Sequence, residues 1–290
     1  MKVQIAAVNS FISLDRLDDN LQRAEEYVNE AKARAAQIVC FPETFPGPTK
    51  EPFGDFSPHA FMSDLAKRKG IYIVYGLIQR VDLNSDAAHY VSEILLDETG
   101  KRMGEYHRTS PPGPWRYKGG KFWNANYVGA NELPVFDTDL GRIGMLVCSE
   151  VYMPELSRCL AIKGAEIVFL PAGRLKGVRG QLYDTWKTLI MARAFENLMY
   201  TVTCQNIQSD ERALAMICSP DELVTISDKE GIIMAQADIA RVREMRMGTD
   251  YGDYDTADAS FGTKLGTLRE WRRPEIYMDI LRQKAVDPPK

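Results

Sequence analysis

Hydrophobic and polar positions change period several times along the chain, and these changes divide it into elements. Val3, Ile5 and Ala7 alternate as in a strand, and the charged, amphipathic run from Leu17 to Ala35 predicts a helix. The apolar run Gln37 to Phe41 predicts a second strand, so the chain opens β-α-β. The rhythm then returns: a helix from Pro58 to Arg68, a strand from Ile71 to Ile78 and another from Tyr90 to Leu96. Further on, Ile143 to Val147 reads as a buried strand, Pro154 to Lys163 as a helix and Ile167 to Leu170 as a strand. A long helix, Gln181 to Asn197, precedes the strand Met199 to Cys204. Asp228, Lys229, Glu230 and Gly231 separate two late strands, Leu223 to Ser227 and Ile232 to Ala237, and predict a hairpin turn. Met247 to Thr267 is the least periodic stretch and predicts a long loop leading to the tail.

This pattern predicts an α/β chain with helices outside sheets. No Pro/Gly/Ser-rich linker, internal repeat or low-complexity tract divides it, so one domain is expected. With 290 residues, 45% of them hydrophobic and 26% charged, the chain can bury a sizeable core. A formal net charge of -4, with basic residues scattered among acidic ones, argues against a nucleic-acid partner. The first residues are too alternating for a secretory segment, and no run of about eighteen apolar residues occurs. A cytoplasmic protein without a membrane partner is the expectation. Five cysteines without CxxC spacing predict neither a disulfide framework nor a zinc site. Cys40, Cys159, Cys204 and Cys218 lie in apolar surroundings and are expected in the core. His59, His89 and His107 lack ligand spacing, so no metal is expected.

Three reactive side chains follow apolar strands, where a rigid scaffold presents groups to an open edge. They are Glu43 in Phe41-Pro42-Glu43-Thr44-Phe45, Arg108 in Tyr106-His107-Arg108-Thr109, and Cys148 in Gly144-Met145-Leu146-Val147-Cys148-Ser149-Glu150. Each also has a plain structural reading: a capping carboxylate, a surface ion pair and a small buried hydrophobe. Around them, Asn20, Val135-Phe136-Asp137-Thr138, Gly141-Arg142-Ile143-Gly144, Pro154-Glu155, Gly164-Ala165, Pro171, Arg193-Ala194-Phe195-Glu196-Asn197 and Arg272-Arg273-Pro274-Glu275-Ile276-Tyr277 follow in order. Taken together and in this order, these motifs resemble the nitrilase superfamily of carbon–nitrogen hydrolases over nearly the whole chain. The resemblance implies a four-layer α-β-β-α sandwich of the nitrilase type, with a hydrolase domain over residues 1–280 and a tail over 281–290. It also implies a homodimer joined through helical faces, crossed by the segment Arg272 to Tyr277, and no cofactor.

The resemblance assigns Cys148 as nucleophile and Glu43 as general base, which takes the thiol proton and later activates water against a thioester. It places a lysine after the tyrosine, where this chain has Arg108. Arginine keeps the charge that can stabilise an oxyanion, but with a pKa above about 12 it is a poor proton donor. A second glutamate that the family places before the Phe-Asp-Thr strand falls on Lys121, Phe122, Trp123 and Asn124, none of them acidic. Lys121 is therefore a candidate substitute amine. Glu150, Tyr152, Trp115, Trp123 and Lys121 are the expected substrate contacts, with Pro111 to Tyr117 forming a stiff loop at the pocket mouth. Arg193, Glu196 and Asn197 are expected to brace the site from a helix. The reaction implied is hydrolysis of a non-peptide carbon–nitrogen bond in a small amide, ureido compound or nitrile. Two alternatives stay open: a family member that binds a metabolite or protein without turnover, and an acyl-transferring variant.

Overall fold

A computed structural model describes residues 1–48, 56–82, 85–110, 127–173, 181–208, 212–247 and 272–282. The chain opens β1 (Lys2–Phe11), α1 (Leu17–Ala33), β2 (Ile38–Cys40), α2 (His59–Lys69), β3 (Tyr72–Asp82). Strands β4 (Ser85–Leu96) and β5 (Arg102–His107) follow, then β6 (Val135–Thr138) and β7 (Gly141–Met145). After a single 3-10 turn over Cys148–Tyr152 come α3 (Pro154–Ile162), β8 (Ile167–Phe169), α4 (Gln181–Phe195) and β9 (Tyr200–Thr203). The remaining elements are β10 (Asn206–Ile207), β11 (Ala215–Cys218), β12 (Leu223–Ser227), β13 (Gly231–Asp238), α5 (Ile239–Met247) and α6 (Pro274–Leu281).

These strands make two mixed sheets. The first runs β10-β1-β2-β3-β4-β5 with β13 also on β1, and the second runs β12-β11-β9-β8-β7-β6. Each contains a parallel trio built by helical crossovers, β1-α1-β2-α2-β3 and β7-α3-β8-α4-β9. Period two decides which layer each β1 side chain joins. Val3, Ile5 and Ala7 enter the cluster shared with Ile143, Met145, Val202 and Ile217 of the other sheet. Ala6 and Val8 turn the other way, against Ala24, Val28 and Ala31 of α1 and Met62 and Leu65 of α2. Trp186, Ile190 and Ala194 of α4 and Leu160 of α3 cover the second sheet. The result is the expected α-β-β-α sandwich.

Two expectations need correction. Asp228 to Gly231 does not make a hairpin, because β12 pairs with β11 in the second sheet while β13 runs antiparallel along β1 in the first. The turn residues encode a reversal, with Gly231 at φ 123°, but β1 had an edge that β13 fits through eight paired residues from Lys2 to Asn9. Cys159 is exposed rather than in the core, since on α3 the buried positions are Ser157, Leu160 and Ala161. Most of the stretch read as a long loop, and most of the 281–290 tail, lie outside the described residues. None of the described helices is long and apolar enough to cross a membrane.

Candidate active site

Three strand ends converge, two from one sheet and one from the other. Glu43 follows β2, whose pairing is prolonged by the Phe41 N–H donating to Val74 O at 2.9 Å. A turn closed by the Phe45 N–H on Pro42 O, with Thr44 at φ 58°, then lifts the carboxylate off the sheet. Asn206, just after β9, donates Nδ2 to the Glu43 carbonyl at 2.6 Å, and Asn20 of α1 holds Pro46 O at 2.9 Å. Arg108 follows β5, its N–H donating to Val91 O at 2.8 Å. Cys148 follows β7, its N–H donating to Pro171 O at 2.8 Å. Its φ of 52° is left-handed, a conformation a non-glycine residue adopts at a cost of order 1–3 kcal/mol. That elbow turns the chain sharply from strand into helix and leaves the residue half-buried.

The side chains meet over short distances. Glu43 Oε1 accepts from Arg108 Nη1 at 3.2 Å, and Oε2 accepts from the Gly173 N–H at 2.6 Å. Gly173 is fitted to this contact: a Cβ there would sit 2.9 Å from Glu43 Oε2. Arg108 is 2% exposed, a burial tolerable for a guanidinium only with several acceptors. Besides Glu43 it donates from Nε to Ser110 O at 2.9 Å and from Nη2 to Ser149 Oγ at 2.5 Å. The Cys148 thiol lies beside the Glu43 carboxyl and the Gly173 amide. Burial first, then the Glu43 charge, pushes the thiol up to about 12, against opposing pulls from Arg108 and the Gly173 N–H. The resting group is thus a neutral thiol with a carboxylate in reach of its proton.

Glu150 occupies the hub beneath. It is fully buried, and Oε1 accepts from the Thr109 N–H at 2.9 Å, Thr109 Oγ1 at 2.7 Å and the Ser110 N–H at 3.2 Å. Oε2 accepts from the Val147 N–H at 2.8 Å, and the Tyr106 hydroxyl reaches both oxygens at 2.8 Å. Expected above as a substrate contact, it ties the residues after Arg108 to the residue before Cys148. Arg193 of α4 adds a strut, donating Nε to Val151 O at 3.1 Å and Nη1 to Glu196 at 2.8 Å. Tyr152 is 45% exposed, with its ring edge-on to Trp186 at 5.5 Å. Trp115, Trp123 and Lys121 lie outside the described residues. Gly173, Asn206 and Tyr106 were not singled out by sequence, and only a glycine soon after a strand hinted at the first. Among the described residues no group of three or more His, Cys, Asp or Glu side chains is placed to hold a metal ion.

Fold and site together define a class, an α-β-β-α hydrolase with a cysteine set against a carboxylate. A family model, carbon-nitrogen hydrolase, matches residues 4–247, and the chain belongs to that family. It is 27% identical over 263 residues to a deaminated glutathione amidase of Synechocystis, covering 85% of this chain and 96% of that one. It is 25% identical over 301 residues to the N-carbamoylputrescine amidase of Arabidopsis thaliana, covering 93% of each. A carbon-nitrogen hydrolase structure from Helicobacter pylori superposes with a TM-score of 0.79 at 17% identity, over 97% of this chain and 99% of that one.

Proposed function

We propose that Cys148 attacks the carbonyl or nitrile carbon of a small carbon–nitrogen substrate, with Glu43 as base and Arg108 as the fixed cation. The observation that carries this reading is the left-handed Cys148 elbow, which sets the thiol beside the Glu43 carboxyl. For an amide, Sγ bonds to the carbonyl carbon as Glu43 takes the thiol proton, and the oxygen gains the negative charge. Arg108, held by Glu43, Ser149 and Ser110, supplies positive charge next to that oxyanion without reorganising. The intermediate collapses to a thioester, and the departing amine leaves with the proton from Glu43. Glu43 then takes a proton from water as the water oxygen attacks the thioester. Carboxylic acid leaves and Sγ recovers its proton, so one water is consumed per bond cleaved.

Arg108 stands where the resemblance puts a lysine, and in this reading it contributes charge and position rather than a proton. Glu150 is a positioning residue, while Trp115, Trp123, Lys121 and Tyr152 remain the proposed pocket contacts. A cytoplasmic location rests on all five cysteines being free. A homodimer is part of the same proposal, supported by exposed Ile276, Tyr277 and Met278 on α6 and Ile162 on α3.

Intact-mass spectrometry against a panel of amides, ureido acids and nitriles tests the chemistry. A covalent adduct on the wild type and its loss in Cys148→Ala, along with ammonia or amine release, is expected. Undiminished release by Cys148→Ala would end the proposal.

A further inference from the structure

One ionisable group beside the site has no part in the mechanism above. Glu93 lies mid-way along β4, on the face that points between the sheets, with Val91 and Leu95 on either side of it. It is paired directly with Gly76 of β3 and Tyr106 of β5. The side chain is fully buried, and neither carboxyl oxygen has a hydrogen-bond partner among the described residues. Gly76 explains how it fits. A Cβ there would come 2.9 Å from Glu93 Oε1, 3.0 Å from the Glu43 carbonyl carbon and 2.3 Å from the Thr44 nitrogen. Because position 76 has no side chain, the Glu93 carboxyl can lie against the peptide joining Glu43 to Thr44.

The titratable groups acting on it come from several elements, Glu43 beyond β2, Cys204 beyond β9, Cys40 of β2 and Tyr75 of β3, while Tyr106 of β5 is its strand neighbour. No cation is among these. An ionised carboxylate in such a place would be a buried charge with nothing to pay its desolvation.

We propose that Glu93 is the proton-bearing partner of Glu43 in a two-carboxyl pair, a positioning residue that confines the negative charge beside Cys148 to the base. Burial, then the Glu43 charge, then Cys204 all hold its carboxyl well above the usual carboxylate range. With Glu93 neutral, Arg108 and the Gly173 N–H have one anion to stabilise. Once alkaline conditions remove the Glu93 proton, a second anion stands against the Glu43–Thr44 peptide and competes with Glu43 for the field of Arg108 and the Gly173 N–H. The Glu43 charge raises the Glu93 carboxyl further, so removing that charge should ease loss of the Glu93 proton.

This inference rests on Glu43 being the base, and it is tested separately from that reading. Infrared difference spectra of the wild type against Glu93→Gln should show, at neutral pH, the carbonyl band of a protonated carboxyl that the variant lacks. In Glu43→Gln the midpoint at which that band disappears should fall by about one pH unit or more, because a like charge has been removed. A wild type without the band, or a midpoint indifferent to Glu43→Gln, overturns the pair, and neither measurement needs turnover. Where substrate is turned over, kcat/KM of Glu93→Gln should match the wild type near neutrality and exceed it roughly tenfold on the alkaline side. Superimposable pH profiles would reject the positioning role even if the band is present. Failure of every substrate on the wild type would count against the base assignment and leave the infrared result standing.

Discussion

Arg108 carries the sharpest question at the scale of single residues, because its head is held by a carboxylate, a hydroxyl and a carbonyl at once. Arg108→Met should lower kcat by about 10²–10³, the size of effect seen when a preorganised oxyanion donor is removed. It should also destabilise the chain, since Glu43 would then be buried with the Gly173 amide and no cation. Arg108→Lys restores charge without the fork, so kcat should recover only part of the way, as steady-state kinetics on one amide would register. Full activity in Arg108→Met would remove Arg108 from the mechanism. Cys148 and Glu43 were legible in the sequence because each ends an apolar run. Glu93 was not, because a lone acid inside a strand pattern gives no sign of whether it faces water or a core.

At the scale of elements, the site depends on loops from different strands staying in register, and Glu150 is the tie. Glu150→Ala would leave the N–H groups of Val147, Thr109 and Ser110 and two hydroxyls without their acceptor. A loss of about 3–5 kcal/mol in denaturant unfolding is expected, together with a kcat deficit larger than that of Glu150→Gln, which keeps one acceptor oxygen. Wild-type stability in Glu150→Ala would show the brace to be dispensable. Sequence placed Glu150 two residues after Cys148 but said nothing of Thr109 and Ser110, some forty residues earlier. The same limit explains the turn at Asp228 to Gly231. Its residues specify a change of direction, whereas the partner of β13 is chosen by the edge of β1, more than two hundred residues away.

For the whole molecule, Glu93 should leave a mark on stability against pH. Below the free glutamate pKa of about 4.3, folded and unfolded chains both hold its proton and the group has no linkage effect. Above it the unfolded chain releases the proton while the native one keeps it, so stability falls with rising pH until the raised native value is passed. Glu93→Gln should therefore have a higher melting temperature than the wild type near neutrality, with the gap closing toward pH 4 in thermal scans. A gap independent of pH would mean that the gain comes from packing.

What the sequence by itself determined is local and periodic: the alternation of β1, the amphipathic α1, the β-α-β openings and the strand ends that carry Glu43, Arg108 and Cys148. These follow from which side chains must leave water on a repeat of two or 3.6 residues. Tertiary structure alone decided which strands pair, that Gly173 and Asn206 hold Glu43, and that Gly76 makes room for a buried acid against the Glu43–Thr44 peptide. The two hydrogen bonds to Glu43 join residues 130 and 163 positions apart, and no local period records them. They are settled only when two sheets close on each other and every buried donor, acceptor and charge must find a partner or give up its charge.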